Sequence, residues 1–294
     1  MPKRKLRVFI RALSVESWGK ERTDLKKRDF KDKVVVITGG ASGIGLAVAR
    51  RFARAGAVCA LLDMDEAGLS RRAAEFEAAG RSVMTRVCDV TRQSECEAAI
   101  QAVIERFGGI DVLFNNAGIT QRSRFAETNP SVHEKVMAVN FFGALYCTRA
   151  AIWSLIERRG LIMVNESIAG VAPLLGRTGY SASKHALHGL FTSLRAEVRG
   201  YGLHVMIVCP GFIRTHLQDR ALGADGAVTR RPQSFMGRQQ SAESAAEAIF
   251  RGACREKNML VLTAVGKLGY WVSRLAPAFY ERQMARRFSS ELTD

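Results

Sequence analysis

A chain of 294 residues, 47% of them apolar, can bury one substantial α/β core and does not require a second globular domain. The six cysteines lack C-x-x-C spacing and the five histidines lack metal-ligand partners, so we predict reduced thiols in a cytoplasmic protein and no metal site. The net charge is +16, but residues 1–31 hold eleven Lys and Arg against four Asp and Glu without a nucleic-acid-binding signature, so no nucleic-acid partner is expected.

The N-terminal arm, residues 1–31, has the pattern of a basic amphipathic helix. Four apolar residues follow the helical spacing i, i+3, i+4 and i+7 among basic ones: Leu6, Phe9, Ile10 and Leu13. This pattern favours either peripheral contact with an anionic membrane surface or packing on a neighbouring subunit. A cleaved targeting peptide is disfavoured by Glu16 and Glu21. No apolar run approaches the ~18 residues of a membrane span.

From residue 33 onward, short apolar runs alternate with amphipathic segments of helix length. The predicted strands are Val34–Ile37, Val58–Leu62, Ser82–Val87, Ile110–Phe114, Leu161–Val164, His204–Cys209 and Met259–Leu262. Strands this apolar, separated by helices, predict an α/β fold with a doubly wound parallel sheet and helices on both faces. Ligands of such sheets bind at the carboxyl ends of the strands.

The turn after the first predicted strand is rich in glycine, Thr38-Gly39-Gly40-Ala41-Ser42-Gly43-Ile44-Gly45. A sharp turn into a helix and a close backbone approach to a pyrophosphate both require glycine, so this turn predicts a phosphate-binding site. Asp63 ends the second strand eighteen residues beyond Gly45, where a carboxylate accepts hydrogen bonds from ribose hydroxyls and repels a 2′-phosphate. Because neither Ser42 nor Met64 is basic, NAD is favoured over NADP.

Tyr180 and Lys184 are four residues apart in a predicted helix, so their side chains share one face. An adjacent ammonium is expected to lower the pKa of the phenol, which suits a general acid/base. Ser167, thirteen residues before Tyr180 at a strand end, can polarise a carbonyl group.

Together these residues resemble the short-chain dehydrogenase/reductase family of the single-domain type, over residues 32–263. The motifs occur in the family's order: Thr38-Gly39-x-x-x-Gly43-x-Gly45, Asp89, Asn115-Asn116-Ala117-Gly118, Asn140, Ser167, Tyr180-x-x-x-Lys184 and Pro210-Gly211-x-x-x-Thr215. The resemblance implies a Rossmann-like fold, a dimer or tetramer, and hydride transfer between NAD(H) and a small alcohol or carbonyl substrate.

The resemblance also implies a role for each matching residue. Tyr180 would donate and accept the proton, Lys184 would bind the nicotinamide ribose, Ser167 would orient the substrate oxygen, and Asn140 would hold a relay water. The implied cofactor-binding residues are Thr38, Gly39, Ser42, Gly43, Ile44, Gly45, Asp63, Asp89, Val90, Asn116, Ala117, Gly118, Tyr180, Lys184, Pro210, Gly211, Ile213 and Thr215. Glu166 departs from the small or hydroxyl residue usual in the family, which would change the polarity of the substrate site if its side chain points there.

Two further segments are predicted, one within the domain and one after it. Residues 212–240 form a predicted substrate lid within the 32–263 domain, and residues 264–294 form an amphipathic tail. Apolar residues in and near the lid indicate a lipophilic substrate, such as a hydroxysteroid, retinol or fatty alcohol: Leu174, Leu175, Leu217, Leu222, Phe235 and Met236. Plain packing is favoured for the tail, over capping the cleft, docking in an oligomer or touching lipid.

The leading hypothesis is an NAD-dependent dehydrogenase in the cytoplasm, with peripheral membrane contact through the arm. The alternatives are an NADP-dependent carbonyl reductase of the same fold and a cofactor-binding regulatory protein without turnover. The presence of Ser167, Tyr180 and Lys184 argues against loss of turnover.

Overall fold

The computed structural model describes residues 28–215, 217–231, 233–235, 237 and 239–292. Seven of its strands form one parallel sheet: β1 (Val34–Thr38), β2 (Val58–Asp63), β3 (Val83–Val87), β4 (Val112–Asn115), β5 (Leu161–Asn165), β6 (His204–Cys209) and β9 (Met259–Val261). A separate short pair is β7 (Ile213–Arg214) with β8 (Gln240–Ser241). The spatial order in the large sheet is β3-β2-β1-β4-β5-β6-β9. The predicted strands of the large sheet agree with these bounds to within two residues at each end.

Helices cover both faces of the sheet. They are α1 (Gly43–Arg54), α2 (Glu66–Ala78), α3 (Gln93–Phe107), α4 (Pro130–Met137), α5 (Gly143–Glu157), α6 (Thr178–Val198), α7 (Ala242–Cys254), α8 (Ala264–Leu275) and α9 (Pro277–Phe288). Alternate residues of β1 enter opposite cores: Val36 packs with α3, α5 and α6, whereas Val35 packs with α1 and α7. The predicted doubly wound α/β fold is confirmed. The chain reverses its order beside β1, which places a ligand crevice there.

A π-helical turn, Ala138–Phe142, joins α4 to α5 in one continuous helix. This helix, residues 130–157, is long and apolar enough to cross a membrane by length and composition alone, which the sequence analysis did not anticipate. Its Cys147, Ala151 and Leu155 are buried against the sheet. A core helix of an α/β domain has the same length and composition, and the buried face assigns it that role here.

The packed core begins earlier than the predicted boundary at residue 32. Phe30 is 1% exposed, and its ring centroid lies 4.8 Å from that of Phe52 and 5.5 Å from that of Phe250. Arg28 makes an ion pair with Glu256 at 2.7 Å. Packing of the aromatic cluster makes these last residues of the predicted arm part of the domain. The amphipathic stretch of the arm lies outside the described residues.

The C-terminal tail packs as a pair of helices over the substrate side. The Tyr280 hydroxyl donates to the carbonyl oxygens of Ala172 and Pro173, at 3.3 and 3.2 Å. Phe288, at the end of α9, is fully buried. Part of the tail therefore packs on the domain, whereas α8 also has an exposed outward face.

Candidate active site

The glycine-rich turn between β1 and α1 requires glycine at several positions, for lack of space at one and for backbone conformation at others. A Cβ on Gly45 would lie 2.2 Å from the carbonyl oxygen of Gly39, and Gly39 itself has a left-handed φ of +64°. Gly43 also has a left-handed φ, +56°. The Ser42 side chain makes no capping hydrogen bond, and residues 43–54 carry no acidic residue in the first turn. The first N–H groups of α1 are therefore available to an anion.

Hydrogen bonds lock the ends of β1 and β4 together beside this turn. The backbone N–H groups of Asn116 and Ala117 both donate to the Thr38 hydroxyl, at 2.9 and 3.0 Å. The Asn116 amide donates to the carbonyl oxygens of Thr38 and Gly39, and it accepts from the Asn165 amide at 2.8 Å. Thr38 and Asn116 thus hold the ends of β1 and β4 together and thereby shape the crevice.

A cavity of about 630 Å³ opens at this edge of the sheet. Most of the predicted site residues line it: Gly39, Ser42, Gly43, Ile44, Asp63, Asp89, Val90, Asn116, Ala117, Gly118, Ser167, Tyr180, Lys184, Pro210, Gly211, Ile213 and Thr215. Thr38, Gly45 and Asn140 lie behind that lining, where they position it. The topology therefore brings together residues that are as far apart as 177 positions in the sequence (from 38 to 215).

Asp63 is oriented by the backbone around it. Its carboxylate accepts from the N–H groups of Ala41 at 2.9 Å and Asp65 at 3.1 Å. Asp89 accepts from the N–H and hydroxyl groups of Thr91 at 2.9 and 2.8 Å. Both carboxylates are thereby held at the cavity edge, at the ends of β2 and β3.

The Ser167, Tyr180 and Lys184 side chains converge on the same cavity. Ser167 has a φ of +149°, in a region of backbone space that favours glycine, so backbone strain is stored where these three side chains meet the cavity. The N–H of Tyr180 donates to Gln121 at 3.1 Å, which fixes the start of α6. The Lys184 ammonium donates to the carbonyl oxygen of Asn165 at 2.8 Å and lies 5.6 Å from the centre of the Tyr180 ring.

Burial dominates the protonation of this pair. It raises the pKa of Tyr180 above its usual value, although a hydrogen bond with Ser167 and the charge of Arg177 act in the opposite direction. Burial also lowers the pKa of Lys184 to about 8, against the influence of Glu166. The expected lowering of the Tyr180 pKa by Lys184 is not found, because removal of the phenolate from water outweighs the favourable charges.

Asn140 lies in the π-helical turn, which directs its side chain toward the loop after β4. Its amide donates to the Ile119 carbonyl oxygen and the Ser183 hydroxyl at 3.0 and 2.9 Å, and its oxygen accepts from the Ile119 N–H at 2.8 Å. A Cβ on Gly118 would lie 3.2 Å from that oxygen. The side chain thus holds the loop against the cavity, and its role toward a relay water stays a prediction.

Glu166 follows β5 and is 2% exposed. One carboxylate oxygen lies 3.1 Å from Nδ1 of His188 on α6, and the other lies 3.9 Å from the Cys209 sulfur. Burial raises the pKa of Glu166, and His188 is the strongest influence in the opposite direction. Glu166 is among the residues that line the cavity, and its carboxylate is partnered there by α6 and β6.

Sequence analysis missed a buried ion pair on the substrate side. Arg177 lines the cavity and lies 2.6 Å from Glu291, near the C-terminus, and both side chains are at most 2% exposed. Glu291 also accepts from the N–H of Ser234 in the predicted lid at 2.6 Å. The two partners are 114 residues apart, and no local pattern pairs them. The role of Asn165, whose groups contact both Asn116 and Lys184, was missed as well.

Of the apolar residues assigned to the substrate, Leu174 and Leu217 line the cavity. Leu222 instead packs with Val132, Val136 and Tyr180 in a small core under the site. Phe235 contacts Phe212, with ring centroids 5.6 Å apart. Met236 lies outside the described residues.

These features fit a dinucleotide. The uncapped start of α1 suits a pyrophosphate, Gly39 and Gly43 leave the cavity wall there without side chains, and an oriented carboxylate stands at the end of β2. Ser167, Tyr180 and Lys184 lie at the opposite end of the same cavity.

The sequence is similar to those of known proteins. The model of the short chain dehydrogenase family matches residues 33–224. "Dehydrogenase/reductase SDR family member 7B" of Danio rerio is 34% identical over 271 residues, which cover 89% of this chain and 87% of the relative. Its Bos taurus counterpart is 35% identical over 269 residues, 89% of this chain and 83% of the relative.

Solved structures of short-chain dehydrogenases have a similar fold. A short chain dehydrogenase/reductase from Burkholderia phymatum in complex with NAD has a TM-score of 0.75 at 26% identity, over 87% of this chain and 96% of that one. A short-chain dehydrogenase from Streptomyces avermitilis has a TM-score of 0.75 at 27% identity, over 88% of this chain and 98% of that one. With the family model covering most of the chain and the cavity holding the family's motif residues, this protein belongs to the short-chain dehydrogenase/reductase family of oxidoreductases.

Proposed function

We propose that this oxidoreductase interconverts a lipophilic secondary alcohol with its ketone, or a primary alcohol with its aldehyde, using NAD(H) in preference to NADP(H). The observation that carries the proposal is the convergence of Ser167, Tyr180 and Lys184 on one cavity with the glycine-rich turn and Asp63. Bound NAD(H) supplies the hydride acceptor or donor. The chain's own residues bind the cofactor, orient the substrate and move the proton.

In this proposal Tyr180 exchanges a proton with the substrate oxygen through its hydroxyl. Ser167 donates a hydrogen bond to that oxygen, which polarises it, and the Lys184 ammonium stabilises the negative charge that develops nearby. The Asn165 carbonyl oxygen, 2.8 Å from the Lys184 nitrogen, holds the ammonium in place. Asn140 keeps the loop after β4 in position through Ile119.

The lining of the substrate end supports a lipophilic substrate. Its apolar members are Ile119, Ile168, Leu174, Phe212 and Leu217. Among the basic residues of the lining, which also include Lys135 and Arg220, Arg177 is already paired with Glu291. An alcohol on an apolar skeleton matches this lining better than a polyanion does.

We also propose a homo-oligomer in the cytoplasm. All six cysteines are free thiols, which supports a reducing compartment. Phe142 is exposed beside Phe141 and Tyr146 at the start of α5, which gives an aromatic surface for a second subunit.

The test is the Tyr180→Phe variant, assayed with NAD on a panel of hydroxysteroids, retinoids and fatty alcohols. The ring stays and the proton path is removed, so NAD affinity should be retained while turnover falls by at least about a hundredfold. Lys184→Ala should lower both NAD affinity and turnover. Wild-type rates in Tyr180→Phe would overturn the acid/base assignment, and NAD binding without turnover on any compound in the wild type would favour the regulatory alternative.

A further inference from the structure

Helix α8 turns an apolar stripe toward solvent. Leu268, Trp271 and Leu275 are 65%, 59% and 79% exposed, and their spacing of three and four residues places them on one face. The opposite face packs on the protein: Gly266 is buried, and the Ser273 hydroxyl donates to the Val171 carbonyl oxygen at 3.3 Å. Because a surface helix normally keeps its polar face outward, this stripe indicates a binding surface.

Helix α9 also carries an exposed aromatic residue, and exposed basic residues lie along both helices. Phe279, the second residue after Pro277, is 56% exposed. Residues 264–288 contain five basic residues and one acidic residue, Glu281. All five basic residues are exposed: Lys267, Arg274, Arg282, Arg286 and Arg287. The surface formed by Leu268, Trp271, Leu275 and Phe279 with these five cations is here called the α8 face.

We propose that the α8 face docks on an anionic lipid surface, with Leu268, Trp271 and Leu275 entering the boundary between headgroups and acyl chains. An exposed tryptophan among leucines, flanked by Lys and Arg, is the composition that binds such a boundary. Each basic residue close to it adds attraction to anionic headgroups.

Charge decides between a lipid surface and the other occupants of such a stripe. A second copy docking through the same face would bring two sets of five cations together. The N-terminal arm, with eleven Lys and Arg in residues 1–31, carries the same sign. An anionic lipid surface complements the charge and the apolar stripe at once.

The α8 face adjoins the substrate end of the cavity. The inner side of α8 packs on the turn after Ser167, where a Cβ on Gly266 would lie 3.7 Å from Ile168. In the predicted lid, a Cβ on Gly237 would lie 2.8 Å from Val265 of α8. Docking would therefore bring the lid close to the bilayer, and a lipophilic substrate could pass from lipid to the cavity; this consequence rests on the proposed function, whereas docking itself does not.

The test is co-sedimentation of the full-length protein with phosphatidylcholine vesicles, with and without phosphatidylserine. To separate the α8 face from the arm, all comparisons use the full chain carrying Leu6→Glu and Phe9→Glu. We expect binding to anionic vesicles that falls at least tenfold in Leu268→Glu/Leu275→Glu and weakens with salt. Phe125→Glu is the matched control, because Phe125 is 70% exposed outside α8 and α9 and should leave binding unchanged.

Vesicles with brominated acyl chains give a second readout. Trp271 should be quenched on binding, and Trp271→Phe should bind with most of the affinity and lose that quenching. Equal binding of Leu268→Glu/Leu275→Glu and its background, or absence of anionic-vesicle binding, would overturn the proposal. Loss of an oligomer in Leu268→Glu/Leu275→Glu, measured by sedimentation without vesicles, would overturn it in favour of a second copy. NAD affinity, measured in parallel, reports folding and tests the proposed function separately.

Discussion

At the scale of single residues, two carboxylates at the end of β2 take different tasks because their oxygens accept different hydrogens. Asp63 accepts from the N–H groups of Ala41 and Asp65 and faces the cavity edge. Asp65 accepts from the N–H of Gly68 at 2.8 Å and caps α2. We therefore propose that Asp63, held by the glycine-rich turn, selects the cofactor, whereas Asp65, which caps α2, contributes to stability.

Replacing Asp63 by Asn should therefore change cofactor choice. The wild-type protein is expected to bind NAD at least tenfold more tightly than NADP, about 1.4 kcal/mol, and Asp63→Asn should bring the two affinities close together because the repulsion of the 2′-phosphate is gone. Calorimetric titration with both cofactors measures it. Asp65→Asn, the control, should lower stability and keep the preference; an NADP preference in the wild type would contradict the argument.

Glu166 acts on the site through Lys184. It is buried, partnered by His188, and its negative charge raises the pKa of Lys184, which burial has lowered to about 8. Without that charge the pKa of Lys184 falls further, so the ammonium is lost at lower pH.

In Glu166→Gln, the alkaline limb of the pH profile of kcat/KM should consequently move to lower pH. In the proposed mechanism this limb reports the Lys184 ammonium of the free enzyme, so the profile checks the sign directly. The control is Glu247→Gln, at a half-buried carboxylate on α7 that pairs with Arg51, and it should leave the profile in place. An upward move of the limb in Glu166→Gln would show that Glu166 does not support the charge of Lys184.

At the scale of elements, the end of the chain ties the predicted lid to the cavity wall. After α9, Glu291 pairs with Arg177 in the wall and accepts from Ser234 in the lid. Phe288 packs near Phe212, with ring centroids 6.5 Å apart. Three segments distant in sequence therefore meet at one buried carboxylate.

Glu291→Gln leaves the Arg177 charge buried without its partner, so it should lower the free energy of unfolding by about 3–5 kcal/mol. It should also speed tryptic cleavage at the exposed lid residues Arg220 and Arg230, since the lid loses its anchor. Urea unfolding and timed proteolysis measure the two effects. Glu281→Gln, exposed on α9, should change neither; a Glu291→Gln protein as stable and as resistant as the wild type would exclude the anchor.

At the scale of the whole molecule, the domain is completed by a residue that the sequence places on its arm. Phe30 joins Phe52 of α1 and Phe250 of α7 in one aromatic cluster, which connects the start of the chain to two helices of one face.

Phe30→Ala should therefore destabilise the protein by about 3–5 kcal/mol, because a fully buried ring leaves a cavity. Chemical denaturation measures the change. Phe125→Ala, at a ring that is 70% exposed, should shift stability by no more than about 0.5 kcal/mol. Equal effects of the two substitutions would mean that Phe30 is not part of the folded domain.

The sequence by itself determined the fold class, because β1 to β6 are apolar runs whose period and spacing are local properties. It also determined the order of the motifs at the strand ends, from the glycine-rich turn to Lys184, since parallel strands present their carboxyl ends at one edge. The pairing of Glu291 with Arg177, the partner of Glu166 and the raised pKa of Tyr180 were decided only by the tertiary structure. Each of these features depends on burial and on contacts between distant segments. Residues that are neighbours in the sequence specify neither the burial nor those contacts.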